Sequence, residues 1–315
     1  MFRLKLVPEK TSIAFVSLRH IAVGMSLVVV VAAFVLMFTK GFNFGIDFKG
    51  GTVIEISTQG TADLTDLRNR LNKLDLGEVQ LQRFGNDSDV LIRVGAPKVT
   101  EGAAVTGDEI VRRVKDELGT SVDYRRIESV GPQVSGELIQ AATLAVLVSV
   151  AAMFAYIWFR FEWQFGLGAV LSIVHDVMAT ILVFSLFQLE FNLTTIAALL
   201  TIVGYSMNDT VVVYDRIREN LRKYKKMELG ALIDLSLNET LSRTIMTSVT
   251  TLIALLALFV FGGEVIRSFT FAMIFGILIG TYSSIYVAAP VLMAIGVTRE
   301  WGAAQVNRAK NAVSK

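Results

Sequence analysis

The residues best placed to do chemistry are ionisable groups set inside apolar runs. Leu193-Thr-Thr-Ile-Ala-Ala-Leu-Leu-Thr-Ile-Val-Gly-Tyr-Ser-Met-Asn-Asp-Thr-Val-Val-Val-Tyr214 carries Asn208 and Asp209 in its second half. An ionisable group within hydrocarbon costs several kcal/mol unless it faces protein or water, so its default reading is functional. Thr194, Thr201, Tyr205, Asn208 and Asp209 fall on roughly one face of a helix, and that face is expected to look inward. A second polar stripe at helical spacing follows, with Thr240, Arg243, Thr244, Thr247 and Thr251. Arg243 has two readings: its head snorkels to the membrane surface, or it turns toward Asp209 if its helix starts before residue 240. His175 and Asp176 interrupt another apolar run, with Ser172 and Thr180 one turn to either side of Asp176.

The chemistry such groups support is proton exchange. Desolvation favours the neutral form of a carboxyl, whereas a nearby guanidinium favours the ionised form, and together they make a switchable site. A unit charge crossing 100 mV is worth about 2.3 kcal/mol, enough to bias a conformational change. Asp209 is therefore the expected proton carrier, with Arg243 as its electrostatic partner and Asn208 beside it. His175, Asp176, Tyr205, Thr201 and Thr247 are expected as intramembrane polar support. The alternative at each position is interhelical hydrogen bonding, which buried polar side chains also provide.

Other chemistries find little footing. The chain has no Cys, so it has no disulfide framework, thiolate metal site or Cys nucleophile. No Gly-x-x-x-x-Gly-Lys-Ser/Thr loop for nucleotide phosphates occurs. Neither a covalent reaction nor a metal or cofactor is expected, and the chain is read as a non-enzyme. Of its 315 residues, 53% are hydrophobic and 18% charged, a polytopic membrane composition rather than a soluble or disordered one. The formal net charge of +2 leaves no basic footprint for nucleic acid.

The elements that must position these groups are six apolar stretches near 20–39, 138–159, 164–187, 193–214, 244–262 and 268–295. Each is long enough to cross about 30 Å of hydrocarbon. Lys and Arg gather before the first (Arg3, Lys5, Lys10, Arg19), after the fourth (Arg216, Arg218, Arg222, Lys223, Lys225, Lys226) and after the sixth (Arg299, Arg308, Lys310, Lys315). Positive flanks stay in the cytoplasm, so both termini are expected there. The expected division is 1–39 for the N-terminus and first span, 40–137 for an outer domain, 138–298 for five further spans and 299–315 for a cytoplasmic tail. A basic cytoplasmic loop is expected near 215–243, read as a solvated or interfacial helix with lipid headgroups as its partner. In the outer domain, strands at Thr52–Ser57, Val79–Phe84, Val90–Val94 and Val122–Val130, and helices near Thr61–Leu74 and Thr106–Leu118, give the order β-α-β-β-α-β. That is the split, ferredoxin-like α+β pattern. Gly95–Gly107 reads as a connecting loop, and Gly276-x-x-x-Gly280 as a close-packing surface.

Three segments in order carry a family resemblance. Gly45-Ile-Asp47-Phe-Lys-Gly50-Gly51 follows the first span, Val130-Gly131-Pro132-Gln-Val-Ser-Gly-Glu-Leu138 enters the second, and Gly204-Tyr-Ser-Met-Asn-Asp-Thr-Val-Val-Val-Tyr-Asp-Arg-Ile-Arg-Glu-Asn220 ends the fourth. With six spans and one large domain between the first two, the chain resembles the SecF family over nearly its whole length. The resemblance implies half of a bundle of the resistance-nodulation-division type, in the bacterial inner membrane, with residues 40–137 in the periplasm. It implies SecD as the other half, the SecYEG channel as a partner, YajC as a further candidate, and an exported preprotein as load. The implied activity is use of the proton gradient to promote late translocation of polypeptides. The family's membrane carboxylate maps onto Asp209 and its following-helix arginine onto Arg243, while Tyr214 stands where many relatives carry Phe. The polar faces of the middle spans would be covered by SecD, and a lone subunit is expected to expose Asp209 to lipid. Two other readings of the residues are a proton-coupled small-molecule or lipid exporter half-subunit and a non-transporting scaffold.

Overall fold

The computed structural model describes residues 8, 11–84, 86–95, 106–263 and 266–297. The expectations for most of the Gly95–Gly107 loop, for the 299–315 tail and for Arg3, Lys5 and Lys10 lie outside the described residues. The chain divides into a membrane unit, residues 1–42, 148–189 and 194–315, and an outer unit, residues 43–147 and 190–193.

The outer unit is built on an antiparallel sheet. Its strands are β2 (Gly51–Thr58), β3 (Val79–Phe84), β4 (Asn86–Gly95) and β5 (Val122–Val130), in the order β3-β4-β2-β5. The two helices that interrupt them are α3 (Leu64–Asn72) and α4 (Gly107–Leu118). This is the expected ferredoxin-like arrangement. Alternation explains the core: Ile54, Ile56, Val90, Ile92 and Val94 bury one sheet face against Leu67 and Leu71 of α3 and Ile110, Val114 and Leu118 of α4. Asp63 starts α3 by accepting from the amides of Thr65 and Asp66 at 2.9 and 3.1 Å, and Thr106 accepts from Glu109 to start α4.

Three short pieces escaped the sequence reading. A two-residue strand, β1 (Asn43–Phe44), leads into a single helical turn, α2 (Ile46–Lys49), and β1 pairs in parallel with an equally short β6 (Glu190–Phe191). Two-residue strands carry too little periodicity to register as a pattern.

Six helices, 25 to 33 residues long, are long and apolar enough to cross a membrane among the described residues. The first is α1 (Arg19–Thr39), entered through a 3-10 turn at Phe15–Leu18. It is followed by α5 (Pro132–Arg160), α6 (Trp163–Phe187), α7 (Leu193–Lys223) and α8 (Leu229–Phe261). The last crossing is α9 (Arg267–Ser283), continued through a π-helical turn at Ser284–Ala288 into α10 (Ala289–Ile295). Pro290 has no amide hydrogen and its ring crowds the carbonyl four residues back, which accounts for a widened turn just before it. Large apolar side chains such as Leu144, Leu147, Phe154, Trp158 and Phe159 on α5 stay exposed, as hydrocarbon rather than water would allow.

The stretch near 215–243 is not a loop. Both α7 and α8 run through it, leaving only residues 224–228 between them. Its polar residues tie the two helices together: Arg216 Nε donates to Glu239 at 2.7 Å, and Asn220 Nδ2 donates to Ser236 and Glu239 at 3.0 and 2.7 Å. Asp234 and Asn238 accept from the amides of Val16 and Ile13, both at 2.9 Å, and so hold the chain that precedes α1. A hydropathy scan misses this part of α8 because its polar residues lower the window average. The stripe Leu232, Ile233, Leu237 and Leu241, all buried, was the available signal.

Candidate intramembrane proton site

Asp209 lies on the inner side of α7 and is only 2% exposed, so this chain alone shields it from lipid. The expectation that a lone subunit would expose it is therefore corrected. Its Oδ2 has no hydrogen-bond partner among the described residues, and neither does the buried Oγ1 of Thr244 on α8. Arg243 begins no helix; it lies well inside α8, exposed, without an ion pair among the described residues. Its guanidinium is nevertheless close enough to act on the Asp209 carboxylate through space.

The rest of the expected polar face divides. Thr201 and Asn208 are exposed and Tyr205 is half-buried, so this face is not turned wholly inward. A helix turns 100° per residue, which swings Asn208 out when Asp209 points in. Tyr205 Oη reaches Thr251 of α8 at 3.4 Å. Thr201 and Thr247 bond backbone carbonyls of their own helices, Ala197 at 2.7 Å and Thr244 at 2.9 Å. What remains is a polar strip along α7 and α8, with Asn208 and Arg243 uncovered beside a buried, unpartnered carboxylate.

Asp176 is a different kind of site. It is fully buried, and its Oδ2 accepts from Ser206 Oγ of α7 at 2.5 Å and from Ser283 Oγ of α9 at 2.7 Å. Its Oδ1 lies 3.0 Å from His175 Nδ1, and Ser172 Oγ donates to Ser283 at 3.0 Å. Sequence reasoning found His175, Asp176 and Ser172 but missed Ser206 and Ser283, because serines are common in membrane helices and their partners lie on other helices. Thr180 bonds only the backbone of its own helix, at 2.9 Å. Close approach makes the knot possible: a Cβ at Gly276 would stand 2.3 Å from the Ile202 side chain, and one at Gly280 would stand 3.0 Å from Ser206. Tyr214 donates its hydroxyl to the Ala288 carbonyl in the π-helical turn at 3.0 Å, a bond that Phe would lack.

The glycine motif belongs to the outer unit. Asp47 Oδ2 accepts the amide of Leu193 at 2.9 Å, capping the first residue of α7. Gly50 and Gly51 turn the chain from α2 into β2 with φ of 69° and 125°, a region that side chains disfavour. A Cβ at Gly45 would meet Glu190 Oε1 at 2.7 Å. Arg93 of β4 pairs with Glu190, which fastens β6 to the sheet. Pro132 occupies the first position of α5, where its missing amide hydrogen costs nothing, and the Gly131 carbonyl accepts from Ser135 at 3.0 Å.

Comparison with known proteins accords with this geometry. Residues 110–298 match the family described as protein export membrane protein SecD/SecF, C-terminal, and residues 35–62 match the SecD/SecF GG motif. Protein translocase subunit SecF of Cereibacter sphaeroides is 50% identical over 307 residues, covering 95% of this chain and 94% of the relative. The SecF of Rickettsia bellii is 48% identical over 293 residues, covering 93% and 96%. Among solved structures, SecDF of Thermus thermophilus, described as a translocon-associated membrane protein, superimposes with a TM-score of 0.82 at 35% identity over 93% of this chain. A super-membrane-facing form of SecDF gives 0.65 at 34% identity over 99%. The chain spans 40% and 41% of the lengths of those two SecDF chains. By its motifs, its six spans and the near-complete cover of its relatives, the chain belongs to the SecF family of protein-export membrane proteins.

Proposed function

We propose that this chain is the SecF half of a SecD–SecF pair in the inner membrane, using the proton gradient to promote late stages of polypeptide export through the SecYEG channel. Asp209 carries the proton, Arg243 biases its charge, and Asn208 lies on the strip that SecD covers. Both termini face the cytoplasm and the outer unit faces the periplasm, where it meets the emerging preprotein. No bond is made or broken in the load, so the role is mechanical rather than enzymatic.

The observation that carries this reading is the unpartnered Asp209 oxygen, buried at 2% exposure beside an exposed Asn208 and Arg243. Structural carboxylates are satisfied, whereas one held out of water without a partner is suited to gain and lose a proton. The test is reconstitution with SecD and the channel in vesicles, following preprotein movement with and without an imposed proton gradient. Asp209→Asn should leave the pair assembled and remove the gradient-dependent part of export. Wild-type gradient dependence in that variant would overturn the reading.

A further inference from the structure

Where α5 ends and α7 runs on past the apolar core, a concave space of about 520 Å³ is lined by Arg160, Asp215, Arg218, Glu219, Arg222 and Lys223. Its two carboxylates are already engaged: Arg160 holds Asp215 at 2.6 Å, and Arg216, from outside the space, holds Glu219 at 2.5 Å. Arg222 and Lys223 make no ion pair among the described residues, so the lining holds four cations against two carboxylates; just outside it, Glu162 stands 3.9 Å from Arg218 and Glu239 lies in the field of Lys223. The arginines are not loose surface charges. The guanidinium carbons of Arg160 and Arg218 stand 5.0 and 5.5 Å from the ring centre of Phe161, which is itself buried.

One helical turn back along α5 from Arg160, Ile157 closes a second concavity of about 370 Å³. Its wall is apolar, with Met153 and Phe154 from α5, Ile173 and Val174 from α6, and Val203 from α7. Three residues of helix separate Ile157 from Arg160, about 4.5 Å along the axis. A cationic chamber thus adjoins an apolar groove at a helix end where headgroups meet hydrocarbon.

We propose that the two concavities form one site for an anionic phospholipid, its phosphate taken by Arg222 and Lys223 beside the stacked Arg160 and Arg218, and an acyl chain lying in the groove. Charge selects the occupant: a zwitterionic headgroup brings an ammonium that the excess of cations in the lining repels, whereas an anionic one brings only the phosphate they attract. Basic pockets between membrane helices take anionic headgroups for this reason. A topology anchor needs only positive charge near a helix end, and it needs neither a chamber nor a groove.

The full chain, in neutral detergent, is mixed with phosphatidylcholine alone or doped with phosphatidylglycerol, and retained lipid is counted by native mass spectrometry. Phosphatidylglycerol should be retained selectively. The Arg222→Gln/Lys223→Gln pair, at exposed positions, should weaken retention about thirty-fold, equivalent to about 1 kcal/mol for each cation removed. Val174→Trp, filling the groove with every cation in place, should weaken it about tenfold. Lys225→Gln/Lys226→Gln removes the same charge nearby and should change retention less than twofold. Equal retention of phosphatidylcholine, or equal losses in the two double variants, would overturn the site. Displacement by millimolar inorganic phosphate, or full retention by Val174→Trp, would overturn a lipid as its occupant.

Discussion

Two buried carboxylates sit in the same membrane unit under opposite conditions. Asp176 is enclosed by Ser206, Ser283 and His175, partners drawn from three helices, whereas Asp209 leaves an oxygen without a partner among the described residues and has the field of Arg243 nearby. The first arrangement is what a structural carboxyl requires, since polar atoms that leave water must be answered inside. The second leaves a buried oxygen unanswered among the described residues. Burial is common to both carboxyls, and the number of hydrogen-bond partners separates them.

The contrast breaks most sharply in transport. Asp209→Asn is expected to remove gradient-dependent export altogether while changing the unfolding free energy by less than about 1 kcal/mol, because it cuts no hydrogen bond that the structure contains. Denaturant titration alongside the vesicle assay reads both quantities, and a large stability loss would place Asp209 with the structural carboxyls. Asp176→Ala should behave inversely. It strands the Ser206 hydroxyl, whereas Ser283 keeps the Gly280 carbonyl at 3.2 Å, so the membrane unit should unfold earlier by about 1–3 kcal/mol. Unchanged denaturant stability of that variant would dissolve the distinction.

A smaller effect is expected at Asp47, whose carboxylate caps α7. Asp47→Ala should cost about 1 kcal/mol and speed hydrogen exchange at the amides of residues 193–195, whereas Asp47→Asn, an equally good cap, should restore both. Failure of Asn to rescue would mean that charge rather than capping matters there. Smallest is a pH effect confined to the outer unit. The hydroxyl of Ser57, with Arg125 at 3.1 Å and Asn86, holds Asp89 below its ordinary value of 3.8. A carboxyl depressed by folding lends stability that is complete above the ordinary value and disappears as pH falls through the lower folded one. Hydrogen-exchange protection along β2 and β4, taken relative to the intrinsic rate at each pH, should accordingly fall below about pH 4 in the wild type. In Asp89→Asn that acid dependence should be blunted, and an identical acid profile in both would refute it.

Much of this was legible from residue order alone. Long apolar runs declare membrane helices because hydrocarbon tolerates nothing else, and the alternation in β2, β4 and β5 declares a sheet with one dry face. Asp209 stood out because it is the only Asp, Glu, Lys, Arg or His between Leu193 and Tyr214. Less legible were facts that depend on which side of a helix faces what. The Thr201–Asn208 stripe suggested an inward face, yet the one-residue turn from Asn208 to Asp209 puts them on different sides. Ser206 and Ser283, separated by 77 positions, carry no mark of the carboxyl they share. The start of α8 at Leu229 was hidden by Asp234, Asn238 and Glu239, which read as a polar connection until their hydrogen bonds to the neighbouring segments are seen.

The seam of Gly276 and Gly280 against Ile202 and Ser206 leaves no clearance for even a methyl group. Two rods meshed that tightly cannot swivel past each other without first separating. If the proposed role of Asp209 holds, a stroke begun there would carry α7 and α9 together as one rigid element.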